Sequence, residues 1–337
     1  IKVSLCLTIL VHGAATGAPE PRVGQAGVIV AEPPVKITQL VGDYDRQENC
    51  PTGNRTLSRY QLNTTDLGVP FRHKDRTYLL FGDTSGIHGG DAIGYTTDTT
   101  PEDGLDLEFV RDDKGAYKPV KIPGISQGGF EVPMEGTSVG GNMYIYHTTD
   151  HGRGKTMGRS VVAVSEDDGK TFRCLYDFST RHFINVSVVE TDLSAWDGFP
   201  ESSGTGLVMF GSGPYRKSDV RLAFQPAEKI ASPKCIRYFS GLDESSRPRW
   251  SPREDDARPL FHQPCVGELS VTYNRFVKKW IMLYNCGRLE QTIQMRTADF
   301  PWGPWSEPQT IFRPSDGNGF CHFIHSSWKS RKCDLLQ

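Results

Sequence analysis

Several acidic and amide side chains lie in otherwise apolar, β-prone stretches of this sequence. They are Asp66 in Thr-Thr-Asp-Leu-Gly, Asp83 in Phe-Gly-Asp-Thr, Glu131 and Glu135 in Glu-Val-Pro-Met-Glu-Gly, Asn185 in Phe-Ile-Asn-Val-Ser, and Glu268 in Val-Gly-Glu-Leu-Ser-Val. Burying a carboxylate in such a stretch is costly unless it is paired or functional. Carboxyl groups that converge on one site suit glycoside hydrolysis, in which one protonates the leaving oxygen and another activates water or attacks carbon. Any one of these acids could instead cap a turn or pair with an arginine, but for the set we favour function.

Motifs for other chemistries are missing or incomplete. The sequence holds no P-loop or dinucleotide-binding fingerprint. The histidine pairs His147/His151 and His322/His325 lack the third ligand of a catalytic zinc site. We therefore predict no metal and no cofactor, although a bound calcium stays open because its oxygen ligands leave little trace in a sequence.

An apolar strand followed by a polar or glycine-rich loop recurs along the chain. It begins at Tyr78, Met143, Leu207 and Trp280, at spacings of 65, 64 and 73 residues. A strand is predicted before each of these, and two more after it. The predicted first strands cover residues 64–71, 131–139, 182–190 and 266–274. Four strands per repeat at this period predict propeller blades.

The repeat predicts an all-β fold, a five-bladed β-propeller, with a β-sandwich of coincidental spacing as the alternative. Residues 317–328 resemble the first strand of a fifth blade, and residues 35–41 are the candidate to close it. The first strand of each blade lines the central channel, so the side chains on these strands should converge there. The segment Ser165-Glu-Asp-Asp-Gly-Lys-Thr-Phe172 resembles the Asp-box of sialidase-type propellers, a turn motif with a structural role.

Composition and charge narrow the range of partners. The 337 residues carry a net charge of −2, and no basic stripe runs along the chain, so we expect no nucleic-acid partner. Glycine (35) and proline (22) are plentiful, as in folds built from many short strands and tight turns. We expect a monomer that binds a polysaccharide or oligosaccharide.

The first residues of the chain predict secretion. Lys2 precedes an apolar run and then a stretch of small residues, which is the pattern of a signal peptide cleaved near Ala18. Residues 1–18 would be this signal, and residues 19–337 would form a single propeller domain. The mature protein would be extracellular and without a membrane anchor, since no later segment is long and apolar enough to span a bilayer.

Cysteines and glycosylation motifs agree with that compartment. Seven cysteines remain once Cys6 is removed with the signal, and in an oxidising compartment they would form three disulfides and leave one free thiol. Three sequons, which permit N-glycans, begin at Asn54, Asn63 and Asn185.

Five motifs in order along the chain carry a family resemblance. They are Thr-Asp-Leu-Gly-Val-Pro from Thr65, Phe-Gly-Asp-Thr from Phe81, Gly-Ser-Gly-Pro-Tyr-Arg-Lys-Ser-Asp-Val from Gly211, Val-Gly-Glu-Leu-Ser-Val-Thr-Tyr-Asn from Val266 and Pro-Trp-Gly-Pro-Trp-Ser-Glu-Pro from Pro301. Over residues 37–328 the chain resembles the family known as domain of unknown function 4185. Members of that family are similar to five-bladed furanosidase propellers, and some are assigned as endo-D-arabinofuranases (glycoside hydrolase family 183) that cleave mycobacterial D-arabinan. The resemblance implies that Asp66 and Asp83 are a catalytic pair and that Glu268 is a further acid.

On this basis we expect a secreted glycoside hydrolase that cleaves furanosidic linkages, with arabinan as the leading substrate. Asp66 would act as general base or nucleophile, Asp83 would position the sugar or modulate a pKa, and Glu268 would be the general acid. The candidates for binding substrate are Glu135, Asn185, Tyr215, Arg216 and His325.

Two alternatives remain open from the sequence. One is a lectin-like propeller that binds sugar without cleaving it, although core or rim packing explains most of its candidate stacking aromatics more simply. Those aromatics are Tyr60, Tyr95, Tyr215 and Trp250. The other is an inactive protein with an incomplete last blade, because the family continues past the His325 region with a closing strand that this chain lacks.

The repeat also predicts how two of the acids relate in space. Asp66 and Glu268 each lie 12 residues before the next strand of their repeat, which begins at Tyr78 or Trp280. Equivalent positions in different blades should face the central cavity at similar depth. Asp83 should approach the same cavity from its rim.

Overall fold

The structure of the protein is a computed structural model that describes residues 36–152, 157–286 and 292–313. Four antiparallel sheets follow one another along these residues, and each is built from consecutive strands. Consecutive up-and-down strands grouped into successive sheets are the arrangement of propeller blades. The prediction of an all-β propeller is confirmed, with four blades in the described part of the chain.

A small N-terminal unit precedes the first blade. It contains the ribbon strands β1 (Tyr44–Asp45) and β2 (Cys50–Pro51) and the helix α1 (Thr56–Tyr60). The described part of the predicted closing strand, residues 36–41, is not a strand. Val41 instead packs with Tyr60 in an apolar cluster on Leu79 and Phe81 of the first blade, because that face of the blade is apolar and needs a cover.

The first two blades have four strands each. Blade 1 consists of β3 (Leu62–His73), β4 (Arg76–Gly86), β5 (Ala92–Thr96) and β6 (Glu108–Phe109). Blade 2 consists of β7 (Pro133–Val139), β8 (Asn142–Thr149), β9 (Arg159–Ser165) and β10 (Arg173–Ser179).

Blade 3 has one strand more than predicted. It consists of β11 (Asn185–Asp192), β12 (Thr205–Ser212), β13 (Val220–Pro226), β14 (Arg237–Leu242) and β15 (Pro248–Ser251). The sequence hides β15 because prolines at 248 and 252 bracket it, and proline is tolerated only on edge strands, where no ladder bond is lost.

Blade 4 again has four strands. It consists of β16 (Val266–Asn274), β17 (Lys279–Cys286), β18 (Ile293–Ala298) and β19 (Gln309–Phe312). Single turns of 3-10 helix connect strands at Pro101–Asp103, Leu193–Ala195, Ala227–Lys229, Pro233–Cys235 and Glu254–Asp256. No helix in the three described ranges is long and apolar enough to cross a membrane.

The hydrophobic core lies between the blades. Successive side chains of a strand point to opposite faces of its sheet. Met143 and Ile145 of β8 therefore pack with blade 1, whereas Tyr144 and Tyr146 pack with blade 3. Each blade is thus apolar on both faces, which is why the sequence shows nearly continuous apolar runs in its second strands.

The Asp-box turn joins β9 to β10 as predicted. The Asp167 carboxylate accepts hydrogen bonds from the Thr171 backbone N–H and the Ser165 hydroxyl, both at 2.8 Å. Asp168 in the same turn has a left-handed φ of 60°. These contacts give the motif a structural role on the outer part of blade 2.

One disulfide is present among the described residues, between Cys265 and Cys286. Cys50, Cys174 and Cys235 form no disulfide with one another or with any other described cysteine, and Cys321 and Cys333 lie outside the described residues.

The three sequons differ sharply in exposure. Asn54 and Asn185 are buried at 3% and 0% exposure, whereas Asn63 is exposed. Residues 1–18, where the signal peptide is predicted, and residues 317–328 lie outside the described residues.

Candidate active site

The inner strands of the four blades pack against one another in chain order, β3 on β7, β7 on β11 and β11 on β16. Each strand is the first of its sheet and carries one of the polar residues that the sequence singled out. They are Asp66 on β3, Glu135 on β7, Asn185 on β11 and Glu268 on β16.

Asp66 and Asp83 occupy neighbouring strands of blade 1. Asp66 pairs with Gly82 across the β3–β4 ladder, so Asp83 is the next residue on the partner strand. The ladder is irregular on both sides of Asp66, and Leu67 and Asp83 have left-handed φ values of 66° and 45°. Non-glycine residues in this conformation are strained, and such strain concentrates at functional sites.

The Asp83 carboxyl group lies in a largely desolvated position. Its Oδ1 atom accepts a hydrogen bond of 2.8 Å from the Phe130 backbone N–H. Burial raises the pKa of Asp83 to about 6 despite that bond, and the negative charges of Asp66 and Asp91 act in the same direction. A carboxyl group with such a pKa can hold a proton close to neutral pH.

Phe130 connects Asp83 to an aromatic pair at the edge of blade 2. It has a left-handed φ of 74°, and its partly exposed ring stacks on His151 with centroids 5.1 Å apart. The buried Glu131 carboxylate stabilises this loop by accepting hydrogen bonds from the His151 N–H at 2.8 Å and the Ser126 hydroxyl at 3.2 Å. Glu131, a candidate acid from the sequence, therefore has a structural role here.

Glu268 lies among polar groups from two blades. Oε2 is 3.6 Å from Nε of Arg216, and the Asn285 side-chain amide donates a hydrogen bond to the same oxygen. Burial alone would raise the pKa of Glu268, but the Arg216 cation and the Asn285 amide outweigh it and hold the pKa below its ordinary value. A Cβ atom on Gly267 would lie 2.4 Å from Oδ1 of Asn285 and 2.6 Å from Cγ of Arg216, so only glycine permits this approach.

Tyr215 links the acids of blade 1 and blade 4. Its ring lies under the Arg216 guanidinium, with 4.5 Å between the cation and the ring centroid. Burial raises the pKa of the Tyr215 hydroxyl well above its ordinary value, and the negative charges of Glu268 and Asp66 raise it further. Carboxylates more than two hundred residues apart in sequence therefore act on one phenol.

Two other predicted substrate-binding residues, Glu135 and Asn185, form hydrogen bonds within and between blades. Glu135 accepts hydrogen bonds from the Ser187 hydroxyl at 3.2 Å and the Val188 N–H at 3.1 Å, and so bridges blades 2 and 3. The fully buried Asn185 amide donates to the Ser212 hydroxyl and the Gly213 carbonyl, both at 3.3 Å. Their roles toward a substrate stay predictions, and His325 lies outside the described residues.

Two of the four candidate stacking aromatics, Tyr60 and Trp250, pack against other apolar side chains of the fold. Tyr60 is 1% exposed and belongs to the apolar cluster on blade 1. Trp250 packs on Phe199 and Phe224, and its indole N–H donates to the Gly198 carbonyl at 2.8 Å. Tyr60 is therefore unavailable to a sugar, whereas Trp250 is partly exposed and makes the packing contacts that the simpler explanation from sequence expected.

Three groups near the acids were missed as site residues by sequence reasoning. Asn285 and Phe130 contact the acids directly, and Asp91 accepts the Asp83 N–H at 3.3 Å. Asp91 follows Asp83 by eight residues in a glycine-rich loop, which was the available signal. Within the described residues, no group of three or more His, Cys, Asp or Glu side chains is placed to hold a metal ion.

The fold and the site together define a β-propeller with an acidic pair in its first blade and a polar cluster around Glu268 in its fourth. The chain belongs to the family described as Domain of unknown function (DUF4185), whose model matches residues 52–331. This confirms the resemblance carried by the five motifs. No curated protein sequence matches the chain.

One solved structure shares the fold at low sequence identity, and two further matches have lower TM-scores. A Bacteroides ovatus protein assigned provisionally as a hydrolase matches with a TM-score of 0.53 and 11% identity, over 77% of this chain and 72% of its own. An exo-β-1,3-galactanase of Phanerochaete chrysosporium matches with a TM-score of 0.48 and 9% identity, over 82% of this chain and 54% of the galactanase. A family 43 β-xylosidase/α-arabinofuranosidase from a compost metagenome has a TM-score of 0.43 and 13% identity, over 73% and 77% of the two chains.

Proposed function

We propose that the protein is a secreted, monomeric glycoside hydrolase that cleaves furanosidic linkages, with a D-arabinan-like polysaccharide as the leading substrate. The observation that carries the proposal is the pair formed by Asp66 and Asp83. They occupy adjacent strands, where Leu67 and Asp83 have left-handed backbone, and the pKa of Asp83 is raised to about 6, chiefly by burial. Glycoside hydrolysis needs one carboxyl group that delivers a proton and a second that works as an ion. The family resemblance supports the choice of a furanoside.

The electrostatics of the site favour one change in the assigned roles. A general acid must hold its proton near the working pH. Arg216 and Asn285 keep the pKa of Glu268 low, whereas burial raises that of Asp83. We therefore assign the general acid to Asp83 and keep Asp66 as base or nucleophile. The ionised Glu268 would stabilise the positive charge that develops on the sugar ring.

We also propose a fifth blade and passage through an oxidising compartment. The family match extends to residue 331, beyond the last described residue, which leaves chain for another sheet. The Cys265–Cys286 disulfide and the signal-like N-terminal residues support secretion.

The test is a substrate panel with the purified protein. D-arabinan and L-arabinan are incubated with enzyme, beside xylotriose and β-1,3-galactotriose, the sugars bound in two of the matched enzymes described above. Release of short arabinofuranosides from D-arabinan is the expected result. Cleavage of xylotriose or galactotriose alone would overturn the furanoside assignment. Binding to any of these sugars without turnover would favour the lectin-like alternative.

A further inference from the structure

A buried histidine–aspartate pair lies directly behind Asp83. His147, on β8 of blade 2, is 0% exposed, and Asp91, in the loop before β5 of blade 1, is 3% exposed. The His147 Nε2 atom is 2.9 Å from Oδ2 of Asp91. The pair therefore joins two blades inside the protein.

The hydrogen bonds of His147 fix how many protons the pair holds. Its Nδ1 atom lies 2.6 Å from the Thr148 carbonyl oxygen, which can only accept, so Nδ1 carries a proton. A neutral imidazole then has no proton left on Nε2. The contact between Nε2 and the Asp91 carboxylate needs one more proton, which belongs to the imidazolium or to the carboxylic acid. In both forms the net charge of the pair is zero, and in the imidazolium form Asp91 carries the negative charge that raises the pKa of Asp83.

The same aspartate reaches the backbone of Asp83. Oδ1 of Asp91 accepts the Asp83 N–H at 3.3 Å, while Oδ2 faces His147. The neighbouring Thr84 N–H donates to the Gly90 carbonyl at 2.6 Å, so the two ends of this loop are tied together beside the left-handed Asp83. Lys121 and Asp66 are the further charged groups that act on Asp91 and on Asp83, respectively.

We propose that Asp91 and His147 are a positioning pair for Asp83, which holds its backbone in the left-handed conformation and keeps an unbalanced charge away from its carboxyl group. The inference rests on the proposed function, because it gives the pair a purpose in the reaction assigned to Asp83. Neither residue touches the substrate in this account. A buried carboxylate without its cation would repel the ionised Asp83 and disfavour it.

A second histidine–aspartate pair between the same two blades provides a control. His73, at the end of β3, is 1% exposed and lies 2.9 Å from Oδ1 of Asp168 in the Asp-box of blade 2. Its Nδ1 atom is 2.7 Å from the Ser138 hydroxyl. This pair also bridges blades 1 and 2 but lies at the end of β3 that is remote from Asp66. It has the same residue types and a buried histidine, but its aspartate is 43% exposed and also contacts Lys74, and the pair has no link to Asp83.

The experiment compares His147→Gln and Asp91→Asn with His73→Gln. We expect the first two variants to lower kcat on D-arabinan by about tenfold to a hundredfold, with a much smaller change in KM, because a displaced catalytic group costs mainly rate. His73→Gln should keep the wild-type kcat while its melting temperature falls. An equal loss of kcat in His73→Gln, or a wild-type kcat in both other variants, would overturn the proposal.

A titration of Asp83 by carboxyl NMR separates this inference from the proposed function, since it needs no activity. His147→Gln leaves Asp91 as an acid without its cation and should shift the Asp83 pKa upward. Asp91→Asn removes that charge and should shift it downward, while His73→Gln leaves it unchanged. Shifts of the same sign, or none, would reject the pair as a control on Asp83 even if the enzyme proves active. If His147→Gln does not fold, Asp91→Asn alone decides by the direction of its shift.

Discussion

Asp83 combines a strained backbone with a carboxyl group that is costly to ionise. Its φ is 45°, and burial is the main cause that raises its pKa from 3.8 to about 6. Both features work against stability, since left-handed non-glycine residues and desolvated charges are each unfavourable. A cost of this kind at a single residue is expected where function, rather than folding, has selected the side chain.

Replacing Asp83 by asparagine should therefore stabilise the protein at neutral pH. Because folding raises the pKa of Asp83, the ionised side chain destabilises the folded state. This destabilisation is absent below about pH 4, grows as the pH rises, and is complete above about pH 6. A shift of roughly two pKa units corresponds to about 3 kcal/mol as an upper value. Asparagine retains an oxygen that can accept the Phe130 N–H and carries no charge.

Urea unfolding at pH 4 and pH 7.5 measures this difference. Asp83→Asn should gain free energy of unfolding over wild type at pH 7.5 and little at pH 4. Asp75→Asn, at an aspartate whose side chain is 81% exposed, is the control and should match wild type at both pH values. A loss of stability in Asp83→Asn at pH 7.5 would show that the carboxylate is a structural group.

At the scale of single elements, two local devices hold the blades: the Asp-box turn of blade 2 and the disulfide of blade 4. The turn was readable from sequence because its residues are neighbours in the chain. The disulfide was not, because seven cysteines allow many pairings. The Asp91–His147 pair was missed for the same reason, since a sequence does not show which distant residues are in contact. The two residues lie 56 positions apart on different blades.

Asp167→Ala should destabilise the protein and spare the chemistry. The substitution removes acceptors for the Thr171 N–H and hydroxyl, at 2.8 and 2.6 Å, and for the Ser165 hydroxyl. We expect a loss of about 1–2 kcal/mol and a fall in melting temperature of a few degrees. Differential scanning calorimetry and kcat/KM on the best substrate test this, and a large drop in kcat/KM at an unchanged melting temperature would refute the structural role.

Removing the disulfide should weaken the site as well as the fold. Cys265 directly precedes β16, the strand that carries Glu268. Cys286 directly follows Asn285, whose side-chain amide donates a hydrogen bond to Glu268. The double variant Cys265→Ser/Cys286→Ser should lose about 2–4 kcal/mol of unfolding free energy. Cys174→Ser, at a half-buried cysteine without a disulfide, is the control. Dithiothreitol should destabilise wild type but not the double variant. If it destabilises both equally, the loss of stability does not come from reduction of the Cys265–Cys286 disulfide.

At the scale of the whole molecule, the repeat was predictable because each blade places an apolar strand at its centre. The period between these strands and the bounds of β16 follow directly from the sequence. The closing strand over residues 35–41 was wrong for its described part, because Val41 is used to cover blade 1. That the charges of Asp66 and Glu268 both act on Tyr215 depends on how the blades are arranged in space, which a local sequence pattern cannot specify.

The fold also predicts which sequon is used if the protein passes through a eukaryotic secretory pathway. Asn54 donates to the Leu40 and Leu105 carbonyls at 3.1 and 3.0 Å, and Asn185 is fully buried. A glycan on either is incompatible with the folded blade, whereas Asn63 is exposed. Expression in a eukaryotic host and mass spectrometry after deglycosylation should find one glycan, lost in Asn63→Gln. Occupancy of Asn54 or Asn185 in the folded protein would be inconsistent with this structure.

The most direct test of the account is the turnover of D-arabinan by Asp66→Asn and Asp83→Asn, each compared with wild type and with Asp75→Asn. Loss of a general acid or base lowers the rate by about 10²–10⁴-fold. The account predicts a loss of that size in both site variants, no loss in Asp75→Asn, and a folded Asp83→Asn that is at least as stable as wild type at neutral pH. A rate within a few fold of wild type in either site variant would contradict the claim that Asp66 and Asp83 perform the chemistry.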